Sequence, residues 1–276
     1  MPDRWISLHV FHHGDPDSLL VTAVDGLIRE LDGRLDRFFF LRYWEGGPHV
    51  RLRLLPVFAS DAETIEKRAV EVLEDHLAAH PTLTTWDRED YARLAREFAR
   101  REGLTEYDER LRPDDHVEAI AYRSEHSAAV ERHFTDSSRI ALAILRGEPD
   151  HRRRLGHALT ATMLTLMAWE PDPVRLAALL AANRDGWDPA PARARHAEIF
   201  EAQHEALAAQ AERCRRIAAS GGSWWRSIST LREQVPDKGV LDRCVHLFCN
   251  RLGLTIAEEA HLRYLAAATL EKAGTP

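Results

Sequence analysis

Cysteine is scarce in this chain. Cys214, Cys244 and Cys249 are the three present in 276 residues, too few for a disulfide framework, so a reducing cytoplasm is the expected compartment. No apolar run approaches the length of about 18 residues that a membrane-spanning helix needs. The N-terminus alternates polar and apolar residues and lacks the apolar core of a secretory signal. An excess of basic residues is also missing, and the net charge of −7 argues against direct nucleic-acid binding. There is no internal repeat, no low-complexity tail, no glycine-rich phosphate loop and no nucleophile elbow. Cys244, His246 and Cys249 do not have zinc-site spacing, because positions 244 and 246 diverge by about 200° on a helix. Neither a metal nor a cofactor is expected. What remains, at 45% hydrophobic and 29% charged residues, is the composition of a soluble globular protein.

The stretch from Arg37 to Leu55, RFFFLRYWEGGPHVRLRLL, stands out. Two strand-like runs flank Glu45-Gly46-Gly47-Pro48, which predicts a hairpin. In the second run a period of two puts His49, Arg51 and Arg53 on one face and Val50, Leu52 and Leu54 on the other. The apolar set goes to a core. The opposite set suits the binding of carboxylates and developing negative charge, and solvated surface arginines are the plain alternative.

Around this hairpin, Trp5 to Phe11 reads as a strand and Asp15 starts a helix that ends at Gly33. A helix is expected from about Asp61 to Ala79, a short one from Asp90 to Glu102, and a strand from His116 to Tyr122. The order β-α-β-β-α-β predicts an α+β fold with a ferredoxin-like antiparallel sheet layer. From Ser127 the pattern is helical, with candidate helices Ser127 to Leu145, His151 to Trp169, Pro173 to Ala182, Ala192 to Ala219, Val240 to Leu252 and Ile256 to Lys272. Ser220-Gly-Gly-Ser223 reads as a boundary. Residues 1–125 are thus expected to form the sheet layer with its basic face, and 126–276 a helical region of the same functional unit.

Three ordered stretches carry a family resemblance. They are Phe38 to Tyr43 leading into Pro48-His49-Val50-Arg51-Leu52-Arg53, then Glu131 to Leu142, and then His246-x-x-x-Asn250-Arg251-Leu252. The chain resembles the C-terminal elimination domain of lantibiotic dehydratases and the stand-alone thiopeptide-type bacteriocin biosynthesis proteins. The resemblance implies a lyase of ribosomal peptide maturation that removes glutamate from glutamylated Ser or Thr and leaves a dehydroamino acid. It implies Arg51, Arg53 and His246 as catalytic residues converging on one pocket, with His49, Tyr43, Arg42, Tyr122, Arg123 and Asn250 as substrate-binding residues. The partners it implies are a precursor peptide with a leader and a separate glutamyl-tRNA-dependent glutamylation protein. A homodimer is compatible with it, and no membrane is involved.

One departure bears on the chemistry. After Tyr122-Arg123-Ser124-Glu125 the family continues into an Arg-Tyr-Gly-Gly tract that holds a further catalytic arginine, whereas this chain passes directly to the Glu131 segment. Arg123 is the candidate substitute. The departure keeps two other functions open: a pyridine synthase joining two dehydroalanines by formal [4+2] cycloaddition, and a non-catalytic subunit that presents the peptide. The Arg-Leu-Arg hairpin favours elimination among the three. His9, close to His12 and His13, has the parity of Trp5 and Phe11 and is a weaker candidate for the basic face. Trp224-Trp225 reads as a hydrophobic plug or a peptide contact.

Overall fold

A computed structural model describes residues 5–83 and 86–275. Internal contacts divide the chain into two compact units, Met1–Ser127 and Ala128–Pro276.

In the first unit β1 (Ile6–Phe11) is followed by α1 (Pro16–Ser18), a π-helical stretch (Leu19–Val24) and α2 (Asp25–Glu30). The Asp15 side chain caps α1 by accepting Asp17 N–H, and Pro16 fills the first helical turn, where its missing N–H costs nothing. The uninterrupted helix expected here therefore contains a wide turn. The turn keeps Leu19, Leu20, Ala23 and Val24 together on the buried side. Next come β2 (Leu35–Tyr43), β3 (His49–Pro56), α3 (Ala62–Ala79), α4 (Arg88–Glu102) and β4 (His116–Ala119).

The strands form one four-stranded sheet in the order β2-β3-β1-β4, antiparallel at every step. This is the ferredoxin-like layer read from the sequence, with α4 added before the last strand. One face is apolar. Leu8, Val10, Phe40, Val50, Leu52 and Leu54 are all fully buried there, and α3 packs against β1, β3 and β4. Each such side chain contributes about 1.5–3 kcal/mol by leaving water.

The second unit is helical: α5 (Ala128–Leu145), α6 (His151–Trp169), α7 (Pro173–Ala182), α8 (Arg184–Trp187), α9 (Arg193–Ala219), α10 (Ser223–Gln234), α11 (Lys238–Arg251) and α12 (Ile256–Gly274). Asp150, Asp172 and Asp237 cap α6, α7 and α11, and Thr255 with Glu258 forms a capping box on α12. The α10 helix starts at the last residue of the Ser220–Ser223 boundary and spans a stretch for which the sequence pattern offers no helix. Gly222 precedes it and supplies no side-chain cap, so the usual start signal is missing. Its Trp224, Ile228 and Leu231 are nonetheless buried at helical spacing. Trp224 is a core residue: its indole N–H donates to Thr165 Oγ1 at 3.0 Å and its ring lies 4.5 Å from Phe248.

Two of the family-like stretches meet in this core. Arg251 is fully buried, donates to Ser137 Oγ at 2.9 Å and lies over the Phe134 ring. Burial holds its pKa down, to about 9. Arg251 thus joins α11 to α5 and is structural. Among the described residues no helix is long and apolar enough to cross a membrane.

Candidate functional site

The register of the sheet builds a polar face opposite the apolar one. Ser7 pairs with Arg53, His9 with Arg51, and Phe11 with His49. Across the other edge of β3, Phe39 pairs with Arg53, Leu41 with Arg51, and Tyr43 with His49. On the far side of β1, His9 pairs with Glu118 and Phe11 with His116. Directly opposed residues share a face, so these side chains form three rows across one surface.

Two arginine–histidine pairs occupy its centre. Arg53 Nη2 donates to His9 Nε2 at 3.1 Å, and Arg51 Nε donates to His49 Nε2 at 3.2 Å. A ring nitrogen that accepts from a guanidinium carries no proton, so both imidazoles are neutral. His49 Nδ1 then donates to the Gly47 carbonyl at 2.9 Å. Burial, reinforced by the neighbouring arginine charges, lowers the His9 pKa to about 3. Burial likewise lowers His49 to about 4, against the opposing bond to Gly47. The two rings stack with centroids 4.8 Å apart.

The arginines differ in setting. Arg51 lies over the Tyr43 ring, 3.3 Å from its centroid, with Nη2 3.5 Å from Glu45 Oε2. Arg53 is buried, donates through Nη1 to the Leu8 and Leu52 carbonyls, and lies 4.7 Å from the centroid of Tyr122. Burial lowers its pKa to about 10, and the positive charge of Arg51 adds to that shift, which still leaves it a cation at neutral pH. Among the described residues no carboxylate pairs with Arg53. Trp5 and Phe39 meet Tyr122 edge-on. The Trp5 indole nitrogen and the Ser7 hydroxyl are both buried without a hydrogen-bond partner.

The hairpin turn that starts β3 is held from below. Gly46 and Gly47 have φ of +85° and +115°, a region that favours glycine. Gly46 N–H donates to Tyr91 Oη at 2.6 Å, and that hydroxyl donates to the Trp44 carbonyl at 3.2 Å. The α4 helix, which supplies Tyr91, thereby fixes where His49 begins.

Sequence-based expectations fare differently at each residue. His49, Arg51, Arg53, Tyr43 and Tyr122 come together on this face. Arg42 does not. It pairs with Val50, on the apolar-face parity, and its Nη2 donates to Asp17 Oδ1 at 2.5 Å, so it ties β2 to the first helical segment. Arg123 is exposed. His9 is central, and its parity with Trp5 and Phe11 was the signal for it. His12 and His13 instead lock a loop: His12 bonds Asp115 at 2.8 Å, and His13 N–H donates to Asp114 at 2.8 Å. These carboxylates also accept from Asp115 N–H and Thr82 N–H, a full set of structural bonds.

His246 and Asn250 belong to the second unit, one turn apart on α11. His246 is exposed and donates through Nδ1 to Glu259 Oε2 at 2.7 Å. Asn250 is half-buried. Glu259, buried at 8% exposure, had no sequence signal of its own.

The architecture recurs in solved structures. The chain is similar to a solved structure titled as the pyridine synthase TbtD from thiomuracin biosynthesis, with a TM-score of 0.77 at 21% identity over 97% of each chain. It is similar to TsrL with a TM-score of 0.63 at 18% identity, covering 98% of this chain and 95% of that one. For the tRNA-dependent lantibiotic dehydratase MibB from Microbispora sp. 107891 the values are 0.55 and 19%, covering 98% of this chain but 28% of that protein. No curated protein matches. A family model described as "Lantibiotic biosynthesis dehydratase C-term" matches residues 5–270. By that match over nearly its whole length, the chain belongs to the family of lantibiotic biosynthesis dehydratase C-terminal domains.

Proposed function

We propose that this protein is a peptide-modifying enzyme of thiopeptide-type maturation, and that its reaction is the formal [4+2] cycloaddition of two dehydroalanines. The observation that carries this reading is the state of the two histidines on the basic face. With pKa values near 3 and 4, and with Nε2 of each accepting from an arginine, they are poor bases at neutral pH. Glutamate elimination begins with removal of an α-proton, and an effective base has a pKa near the working pH. Neither histidine of this face serves as that base, so elimination would have to rely on His246 alone. A cycloaddition asks something else of such a face. It needs guanidinium and hydroxyl donors to polarise an amide towards its imidic-acid form, and rigid walls to align two alkenes.

The whole-length similarity to a pyridine synthase supports the same choice, as does the missing Arg-Tyr-Gly-Gly tract. In this reading cycloaddition forms the six-membered ring, and water and then the leader peptide leave to give the pyridine. Each departure takes a proton from the ring system and returns one to the leaving group, and His246 is assigned that transfer. The substrate is a leader-bearing precursor peptide whose serines an upstream dehydrating system has already converted.

Elimination is the second reading, favoured by the placement of Arg51 and Arg53 on one face. One assay separates the two. Purified protein is given a leader-bearing peptide with two dehydroalanines and, separately, a glutamylated peptide, and mass spectrometry follows both. Loss of water and leader from the first is the expected outcome. An unchanged first peptide would overturn the proposal, and glutamate release from the second would install elimination. Arg53→Ala is expected to lower the rate by about a hundredfold or more, the scale of losing one preorganised donor.

A further inference from the structure

The turn between α11 and α12 places an acid against the one exposed histidine of the family signature. Gly253, at φ +76°, ends α11, with Leu254 N–H returning to the Cys249 carbonyl at 3.0 Å. Thr255 and Glu258 then start α12 as a reciprocal cap. Glu258 therefore performs the capping, and Glu259 is left for another contact. Its side chain reaches across to His246, whose Nδ1 donates to Oε2 at 2.7 Å. The other oxygen, Oε1, accepts from Arg263 Nη2 at 3.2 Å. A buried carboxylate is stable only where its charge is answered, and here both oxygens are committed to specific donors.

We infer that Glu259 is a positioning residue that holds His246 in its Nδ1–H tautomer and so makes Nε2 the proton-transferring atom. This rests on the reading of His246 as the proton-transfer group of the reaction. The geometry follows a general rule for histidine: the partner of one ring nitrogen sets the protonation of the other. A carboxylate accepts and cannot donate, so Nδ1 must carry the proton, and in the neutral ring Nε2 is then the unprotonated nitrogen. Arg263 sharpens the arrangement. Because it donates to Oε1, an amide at position 259 would have to turn its oxygen towards Arg263 and its NH2 towards His246. That orientation forces the opposite tautomer.

Glu259→Gln is thus a near-isosteric change with a definite chemical consequence. The test uses the full chain with 15N-labelled histidine, and the His246→Gln spectrum identifies the signal of that ring. The wild-type ring is expected as Nδ1–H, and the Glu259→Gln ring as Nε2–H. On the bis-dehydroalanine peptide, kcat of Glu259→Gln should fall by about a hundredfold or more with KM little changed, as expected for a wrong tautomer. A wild-type ring already in the Nε2–H form, or a tautomer unmoved by Glu259→Gln, would overturn the inference. So would an unaltered kcat in Glu259→Gln where His246→Ala abolishes turnover. If wild-type protein leaves the peptide untouched, the functional reading fails, and the tautomer measurement still decides the role of Glu259.

Discussion

Arg53 and Ser7 face each other across β1 and β3, and together they show how this polar face differs from an ordinary core. Arg53 keeps its charge while buried, with no carboxylate among the described residues to answer it. The neighbouring Ser7 hydroxyl is 4% exposed and has no hydrogen-bond partner. A hydroxyl in that state costs about 1–3 kcal/mol relative to a satisfied one. Ser7→Ala removes the polar atom and almost no volume. It is therefore expected to raise stability by about 1 kcal/mol, read as a higher midpoint in urea with an unchanged slope. A lowered midpoint would mean that the hydroxyl has a partner in solution.

Among the elements, the hairpin is the one whose function depends most on a turn. An added Cβ at Gly47 would meet His13 Nε2 at 2.7 Å and Leu111 Cδ1 at 3.0 Å, at a φ of +115°. Gly47→Ala is expected to destabilise the protein by about 1–3 kcal/mol and to displace His49, which donates to the Gly47 carbonyl. Circular-dichroism melts check the first effect, and loss of activity below the melting transition checks the second. The turn itself was legible in the sequence, since Gly-Gly-Pro between two strand-like runs has few other meanings. So was the face on which Arg51 and Arg53 lie, because strand parity needs only one strand. The pairing of His9 with Arg51 was not, because register is a relation between strands distant in sequence. Helices with aspartate or threonine caps were read within two residues of their starts for the same local reason. The uncapped α10 carries no start signal that would single it out after the Ser220–Ser223 boundary, and the π-helical turn after α1 leaves no mark in the pattern. Glu259 escaped notice because its importance lies in what α11 presents to it.

Across the whole molecule the same chemistry that shapes the basic face predicts how the protein responds to acid. His49 in the sheet unit and His133 in the helical unit are both buried, and burial pushes their pKa values down to about 4 and about 3. His133 bonds Ser227 through Nδ1 at 2.9 Å and stays neutral in the core of α5. In the unfolded chain each ring titrates near 6.5, its ordinary value. Between that pH and the folded values the unfolded state binds more protons, so stability falls as pH drops. Each depressed histidine contributes stability that is fully present above about pH 6.5 and is lost progressively down to its folded pKa, about 4 for His49 and about 3 for His133, on the order of 3–5 kcal/mol apiece. Urea melts at successive pH values should show this decline in wild-type protein. In His49→Gln the slope between about pH 6.5 and 4.5 should be shallower, because one of the rings that must stay neutral is gone. An unchanged slope would mean that His49 titrates in the folded protein as it does in the unfolded chain, near 6.5, which would make it a competent base at neutral pH and remove the argument against a base on this face.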